Sequence, residues 1–467
     1  MALIKQITKR RFDAYCYIRS PHLRIFSDEV AWFEAYDKKL IGVVTLDYTD
    51  NDYGFVVLGR DKRKVFRGID VSLEFFATKL QAERALMSAF EKYENDGLSI
   101  YPQLDEKKLP NEILIPQVKD EKLHPYFKLL ITAPRFEAAK NLINEIAYSF
   151  VDVDGNYIKD FQTTGFDGRI WELYLYMYLH TAGFSINNSF VMPDYNISYF
   201  GKKFCIEAVT VNPSNSFDEE LPTSEKDLLN YTKDYLPIKF GSPLYSKLQK
   251  KYWELEHVKG NPLIIAIHDY HMPGNELTPS SMVWSRTALS DYLYGARMKT
   301  HVDDNGKVLF EVNGNGKEVW PELESIESHT WKNKTIPSNF FEQEGSENIS
   351  AVLFSNNATI SAFSRMGKLA GLGSADIEMI RKGTAYNPDP LSTMPLTFTI
   401  NVDSPDYEEA WADGLVMYHN PNAKHPIDRS CFNEISHIYY DKVNKVFPSF
   451  YQPFDVMASI TLMGEKR

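Results

Sequence analysis

The sequence predicts a mixed α/β protein in which a central sheet is flanked by helices. Three observations indicate this class: strand-like runs near the N-terminus, apolar helices before residue 183, and a helix–strand–strand–helix–strand order after residue 168. A chain of 467 residues exceeds the size at which one hydrophobic core stops growing. We therefore expect a β-rich N-terminal α+β domain over 1–125, a core over 126–300, and a C-terminal α/β extension over 301–467 that could complete the core sheet.

The first 125 residues alternate short apolar runs with turns. AWFEAYD, LIGVVTLDYTD and YGFVVLGRD predict an antiparallel sheet with a turn near Asn51 and Asp52. Residues 76–94 have apolar side chains at helical spacing, which predicts a helix. Charge and proline over 96–122 indicate a linker or a long loop.

The core range contains both helices and strands. A helix over 136–150 is followed by the apolar GRIWELYLYMYLHTAG helix, which Gly183 should end as a C-cap. Strands are predicted over 189–192 and 204–211, a helix over 243–257, and a buried strand in NPLIIAIHDY. Beyond residue 300, AVLFSN (351–356) and LTFTINVD (396–403) predict more sheet, NGNGKEV a turn and PNAKHPID a loop.

Composition and charge narrow the class of protein. Hydrophobic residues make up 43% and charged residues 24%, as in ordinary globular proteins. The net charge of −12 counts against a general polyanion binder, whose affinity comes from lysine and arginine on phosphates. A local basic face stays open, because the potential near a cleft matters more than the total. One stretch with few acids holds Lys239, Lys247, Lys250, Lys251 and Lys259.

The cysteines and the apolar runs indicate the compartment. Cys16, Cys205 and Cys431 lie far apart, without the spacing of a disulfide framework or a metal site. The N-terminus lacks the apolar run of a signal peptide, and no segment approaches the roughly 20 apolar residues that span a bilayer. We expect a soluble, cytoplasmic protein without membrane contact.

Three carboxylates stand out by their positions. Glu172 lies in an otherwise apolar helix, Asp194 follows a proline at a strand end, and Glu207 sits inside the apolar strand FCIEAVTV. A buried charge costs several kcal/mol unless it is paired or coordinated. A divalent cation would compensate it, since Mg²⁺ takes carboxylate oxygens and keeps waters for substrate phosphates. The structural alternative is a solvent-facing strand glutamate, with Glu172 paired to Arg169 at i and i+3 of one helix.

The order of these residues resembles a known superfamily. A glutamate in a helix, then PDY (193–195), then IEAV (206–209), then a helix and a buried strand resembles the PD-(D/E)XK nucleases, which have the restriction-endonuclease-like fold. The string FDGRIWELYL…PDY…IEAVTVNP also resembles a group of bacterial proteins. The resemblance covers about a hundred residues and implies that Asp194 and Glu207 bind Mg²⁺. It further implies that Glu172 assists and that the Ala208 carbonyl is a further metal ligand.

One position departs from the superfamily pattern. Two residues after Glu207 the superfamily has a lysine, which orients the attacking water or stabilises negative charge, and this chain has Val209. Lys203 lies on the same strand face, but four residues of strand put its Cα roughly 13 Å from that of Glu207. Lys247 on the next helix is the better candidate, with Lys251 one turn later in reserve. The alternative for both is a solvated helix face.

These observations leave three hypotheses open. The first is a Mg²⁺-dependent endonuclease cleaving DNA, with Mn²⁺ as a substitute, in restriction or phage defence. Its catalytic residues would be Asp194, Glu207, Lys247 and Glu172. Substrate-binding residues would be Arg169, Lys250 and Lys251, with a homodimer or a protein partner as further expectations. The second is an inactive binding or scaffold protein of nuclease fold, as Val209 and the negative charge suggest. The third is a hydrolase of a small non-nucleic substrate.

Overall fold

The computed structural model describes residues 4–17, 19–106, 110–212, 224–270, 284–305, 308–314, 319–388 and 395–466. Two compact units are present: the first comprises 1–185, 360–379 and 463–467, and the second comprises 186–359 and 380–462. The architecture is mixed α/β, as the sequence predicts. The three domain ranges expected from the sequence stay a prediction.

Helices and strands have the following bounds. The α-helices are α1 (Lys9–Asp13), α2 (Lys79–Asn95), α3 (Pro125–Thr132), α4 (Glu137–Ser149), α5 (Tyr157–Gln162), α6 (Phe166–Thr181), α7 (Glu225–Asn230), α8 (Leu236–Gln249), α9 (Ser285–Tyr294) and α10 (Ile360–Leu369). The strands up to the middle of the chain are β1 (Ile4–Ile7), β2 (Ser27–Ala35), β3 (Leu40–Asp47), β4 (Tyr53–Arg60), β5 (Phe66–Val71), β6 (Ser185–Asn187), β7 (Tyr195–Tyr199), β8 (Lys202–Val211) and β9 (Leu263–Asp269). The later strands are β10 (Ala296–Met298), β11 (Thr300–Val302), β12 (Val308–Phe310), β13 (Val312–Gly314), β14 (Val319–Pro321), β15 (Leu323–Ser325), β16 (Ser328–Trp331), β17 (Lys334–Pro337), β18 (Ala351–Ser355), β19 (Ile377–Ala385), β20 (Leu396–Asn401), β21 (Val416–His419), β22 (Ser436–Ile438), β23 (Ser449–Phe450) and β24 (Val456–Glu465).

The first unit begins with the predicted antiparallel sheet, which is confirmed. Strands β1 to β5 pair in chain order, and Asn51 takes a positive φ of 57° in the turn between β3 and β4. Helix α2 starts with a capping box between Thr78 and Gln81. It packs closely on the sheet because Gly42 has no side chain: a Cβ there would lie 2.6 Å from the Phe90 ring.

The remaining helices of the first unit match the predicted ones closely. Helix α4 confirms the prediction over 136–150, and α6 confirms the apolar helix that ends before Gly183, whose φ is +87°. Helices α4 and α10 approach each other closely at Gly367. A Cβ on this glycine would lie 2.3 Å from the carbonyl oxygen of Ala138 in α4.

The second unit is built on an eight-stranded mixed sheet in the order β23-β22-β21-β18-β9-β8-β7-β6. Strands β7 and β8 are antiparallel and are joined by a turn at Phe200 and Gly201, both with positive φ. Strand β8 is parallel to β9, and β9 is parallel to β18. Every residue of β9 is buried, as its continuous apolar run predicts for a central parallel strand.

The strand predicted over 189–192 is wrong. Residues 188–194 form turns and bends, and the strands lie on either side of them as β6 and β7. The side chains of Phe190, Val191 and Met192 are exposed, so their apolar character does not reflect packing in a sheet. Asp194 therefore stands immediately before a strand and not at the end of one.

The helix predicted over 243–257 is shifted toward the N-terminus. It is α8, which starts at Leu236 after a π turn over Tyr231–Tyr235 and ends at Gln249. Lys251 has a φ of +49°, a left-handed conformation that an α-helix of L-residues does not continue. The expectation that Lys251 lies one turn beyond Lys247 on the same helix face is therefore wrong.

Other strands complete the second half of the chain. The predictions over 351–356 and 396–403 are confirmed as β18 and β20, and 421–428 is irregular as predicted. Strands β16 and β17 form an antiparallel hairpin, and β20, β19 and β24 form a separate sheet. The predicted NGNGKEV turn falls largely on 315–318, outside the described residues. Within the described ranges, no helix is both long enough and apolar enough to cross a membrane.

Candidate active site

Asp194 and Glu207 meet where β7 begins beside β8. Tyr195 pairs with Ile206 in the antiparallel ladder, so Asp194 stands one residue before the first paired residue of β7, near the part of β8 that carries Glu207. The Asp194 side chain is exposed. The Asp194 carboxylate is held by the main chain of the neighbouring strand, because its Oδ2 accepts a hydrogen bond from the Ala208 N–H at 2.7 Å.

Glu207 is a buried carboxylate with two donors. Its side chain is 6% exposed and lies on the strand face that Cys205 and Val209 pack into the core of the second unit. The Lys247 ammonium and the Tyr252 hydroxyl both donate to Oε1, the hydroxyl at 2.6 Å. Within the described part of the chain, no hydrogen bond reaches the second oxygen, Oε2. The positive charge of Lys247 compensates the negative charge of Glu207, whose burial in an apolar strand would otherwise be costly.

Lys247 reaches Glu207 from α8, which packs over β8. The neighbouring Leu244 and Leu248 are buried in the core, so the stem of Lys247 lies along apolar surface and its side chain is 18% exposed. Val209, at the position where the superfamily pattern has lysine, is partly buried against the same core. A lysine ammonium is thus present beside Glu207, and it comes from the helix. Its catalytic role stays a prediction.

Tyr252 is the fourth member of what we call the acid–lysine cluster: Asp194, Glu207, Lys247 and Tyr252. Burial raises the pKa of Tyr252 well above its ordinary value, and the Glu207 hydrogen bond and the charges of both acids raise it further. The phenol therefore stays protonated and donates to Glu207. This role could not be predicted from the sequence, because the chain leaves the helix between Lys247 and Tyr252.

A cleft of about 650 Å³ adjoins the cluster. Its walls are the end of β8, one face of α8, and the β16–β17 hairpin. Lys239, Lys247 and Lys334 line it, and none of the described lining residues is acidic. Trp331 and Lys334 could not be found from the sequence, because no strand was predicted between residues 300 and 350. The cleft is a basic surface on a chain of net charge −12.

The donor set suits a hard divalent cation. Mg²⁺ binds through one or two carboxylates and completes its shell with water and substrate phosphates. Asp194 and Glu207 supply two carboxylates whose charges both act on the Tyr252 hydroxyl. In the described ranges no group of three or more histidine, cysteine, aspartate or glutamate residues is arranged to hold a metal ion. A zinc site, by comparison, takes three or four protein ligands.

The other predicted site residues belong to other elements of the chain. Glu172 and Arg169 belong to α6 in the first unit and form an i, i+3 ion pair at 2.9 Å, the structural alternative considered for them. Burial opposes the charge of Arg169, but the Glu172 charge and the hydrogen bonds to Asp160 and Glu172 raise its pKa. Lys250 and Lys251 are exposed and are not among the residues that line the cleft. The roles expected for these four residues stay predictions.

Comparisons with protein-family models, with curated proteins and with solved structures find no match to this chain.

Proposed function

We propose that this chain is a metal-dependent endonuclease that cleaves DNA phosphodiester bonds. The observation that carries the proposal is the acid–lysine cluster: two neighbouring carboxylates, with a lysine ammonium on the buried one. Lys247 belongs to the cluster and also lines the basic cleft, so it would meet a phosphate bound there. A restriction or phage-defence role rests on fold-level analogy.

The order of elements supports a restriction-endonuclease-like core. Helix α6, strands β6, β7 and β8, helices α7 and α8, and strand β9 follow one another along the chain. The resemblance to the PD-(D/E)XK superfamily rests on the order helix, strand, strand, helix, strand, which the chain contains with one more strand and one more helix. Strand β8 carries Glu207, and the parallel strand β9 follows the helix that carries Lys247. The helix between two parallel strands thus brings its lysine over the first strand, next to the acid.

The residues have separate tasks in this proposal. Asp194 and Glu207 would hold Mg²⁺ with the Ala208 carbonyl as a further ligand. Such an ion polarises the scissile phosphate and acidifies an attacking water. Tyr252 and the Ala208 N–H fix the two carboxylates in place. Lys247 would stabilise negative charge that develops on the phosphate, as fixed donors do in other active sites.

The test is cleavage of plasmid DNA by the purified protein with Mg²⁺, with Mn²⁺ and with EDTA. Asp194→Asn and Glu207→Gln should each reduce metal-dependent nicking at least 100-fold, because both remove a metal ligand. Glu256→Gln is the matched control, since Glu256 forms an exposed i, i+3 ion pair with Lys259 outside the cluster. Circular dichroism spectra must show that each variant is folded.

Two results would contradict the proposal. Nicking that persists in a folded Asp194→Asn variant would show that the site is assigned wrongly. A wild-type protein that neither nicks DNA nor changes its unfolding temperature with Mg²⁺ would favour the inactive binding protein considered from the sequence. Cleavage of a small phosphodiester that DNA does not inhibit at low salt would favour the small-substrate hydrolase.

A further inference from the structure

The cleft has one wall that the resemblance to the nucleases does not include. This wall is the β16–β17 hairpin, in which Trp331 and Lys334 are directly paired on either side of the turn. Opposed residues of an antiparallel pair project to the same face. The indole and the ammonium therefore stand side by side at the end of the hairpin, and both line the cleft.

The opposite wall is a single face of α8. Lys239, Ser242, Ser246 and Lys247 line the cleft at the i, i+3, i+7 and i+8 spacing of one helical stripe. The two lysines are eight residues apart, about 12 Å along the helix axis. This distance corresponds to roughly three or four nucleotides of one strand at 3.4 Å each, and to fewer when the bases are unstacked. Ammonium and hydroxyl donors thus follow a line that matches a short piece of phosphate backbone.

Trp331 is held firmly and yet remains accessible. Its ring makes edge contacts with Tyr235 at 5.4 Å and with Tyr231 at 6.3 Å between centroids. The side chain is partly buried against the core of the second unit, and the rest of it lines the cleft. A positioned aromatic ring beside lysines is the arrangement with which proteins bind single strands, because every base has a face that can stack.

We propose that this cleft binds an unpaired stretch of DNA, with a base stacked on Trp331 and phosphates on Lys239 and Lys334. The cleft volume of about 650 Å³ falls in the range of pockets for small ligands, about 300–1,000 Å³. It therefore takes one or a few nucleotides, and a base inside a duplex has no free face for the indole. Lys247 connects the cleft to the acid–lysine cluster, so the bound strand leads toward the cluster. This inference rests on the proposed nuclease function for its substrate class.

The test measures binding in EDTA, where no metal-dependent cleavage occurs. Fluorescence anisotropy compares a labelled 15-nucleotide DNA strand with the same strand in a blunt duplex and with an RNA strand of the same sequence. Trp331→Leu, which keeps an apolar side chain, should weaken single-strand binding roughly 5- to 150-fold. Trp331→Phe should restore most of the affinity. Lys334→Glu should weaken binding and lower its salt dependence, whereas Lys382→Glu, at an exposed strand position outside the cleft, should change binding little.

The binding results either support or overturn single-strand binding at Trp331. Tighter binding of the single DNA strand, lost in folded Trp331→Leu and kept in Trp331→Phe, supports the proposal. Equal binding of the duplex, single-strand affinity that Trp331→Leu leaves unchanged, or Trp331-dependent binding of RNA alone would overturn it. Binding in EDTA is independent of catalysis. A protein that binds single strands through Trp331 but never nicks DNA would retain this site and lose the proposed function.

Discussion

Replacing Lys247 with methionine should destabilise the second unit by an amount that the structure lets us work out. Methionine keeps an unbranched stem against Leu244 and Leu248 and removes only the ammonium. Glu207, with a side chain 6% exposed, would then be a buried carboxylate whose remaining hydrogen-bond donor is Tyr252. Removing one partner of a buried ion pair costs about 3–5 kcal/mol. Because the Tyr252 hydroxyl still donates, we expect the lower end, about 3 kcal/mol.

A second substitution tests whether the cost is electrostatic. Glu207→Gln in the Lys247→Met background removes the unpaired charge, while the amide oxygen can still accept from Tyr252. The double variant should therefore be more stable than Lys247→Met alone by about 2 kcal/mol. The exposed pair of Lys259 and Glu256 provides the control. Lys259→Met should cost about 0–1 kcal/mol, since the two side chains are 54% and 87% exposed.

The assay is urea unfolding at pH 7 in EDTA, followed by circular dichroism, for wild type, both single variants, the double variant and the control. A Lys247→Met variant within about 1 kcal/mol of wild type would refute the reasoning, because surface pairs give values of that size. A double variant whose cost is the sum of the two single costs would refute it as well. In that case the ammonium would not be compensating the charge of Glu207.

Two further predictions concern other parts of the fold. His437 Nε2 donates to the Phe432 carbonyl, so its Nδ1 accepts from His419 Nε2 at 2.8 Å, and both rings are neutral. Burial lowers the pKa of both histidines, and that of His419 to about 3. The stability that the neutral rings contribute is therefore fully present above the pKa of histidine in the unfolded chain, about 6.5, and is lost as the pH falls toward 3. His419 should contribute about 2 kcal/mol of that loss at pH 5, and His419→Gln should flatten the measured dependence of unfolding free energy on pH. Gly367→Ala should destabilise the protein by about 1–3 kcal/mol in urea unfolding, because the new Cβ would meet the Ala138 carbonyl. This cost should outweigh the higher helix propensity of alanine, about 1 kcal/mol. A stabilised variant would show that α4 and α10 move apart easily.

Local sequence patterns predicted much of the fold. The N-terminal sheet, α2, α4, α6 and β9 were predicted because their periodicity and turn residues depend on neighbours close in sequence. The strand expected over 189–192 failed for a physical reason. Phe190, Val191 and Met192 resemble strand residues in composition, but their side chains are exposed in a loop. Apolar composition predicts a strand only where another layer covers it.

Some residues of the candidate site could likewise be predicted from the sequence, and others could not. Glu207 could be selected because an acid inside an apolar strand is costly to bury, and that cost is visible in sequence. Asp194, whose side chain is exposed, could be selected only by its place in the order that resembles the PD-(D/E)XK nucleases. Tyr252 and Trp331 could not, because their roles depend on where the chain turns. A left-handed residue at Lys251 brings Tyr252 back to the strand, and a hairpin more than 70 residues later supplies Trp331. Side chains assembled from distant segments leave no local pattern.

The chain has Val209 where the PD-(D/E)XK pattern has lysine, and the ammonium beside Glu207 comes from Lys247 on helix α8. Val209 packs with the core on the same strand face as Glu207 and also lines the cleft. A lysine there, beside Lys247, would put two ammonium groups next to one buried carboxylate, and like charges repel strongly where water is scarce. In the proposed site Lys247 supplies the positive charge from a helix that crosses over β8. If the proposal is correct, Val209 is compatible with catalysis, and metal-dependent cleavage by the wild type that is lost in the Asp194 and Glu207 variants is the result that we expect.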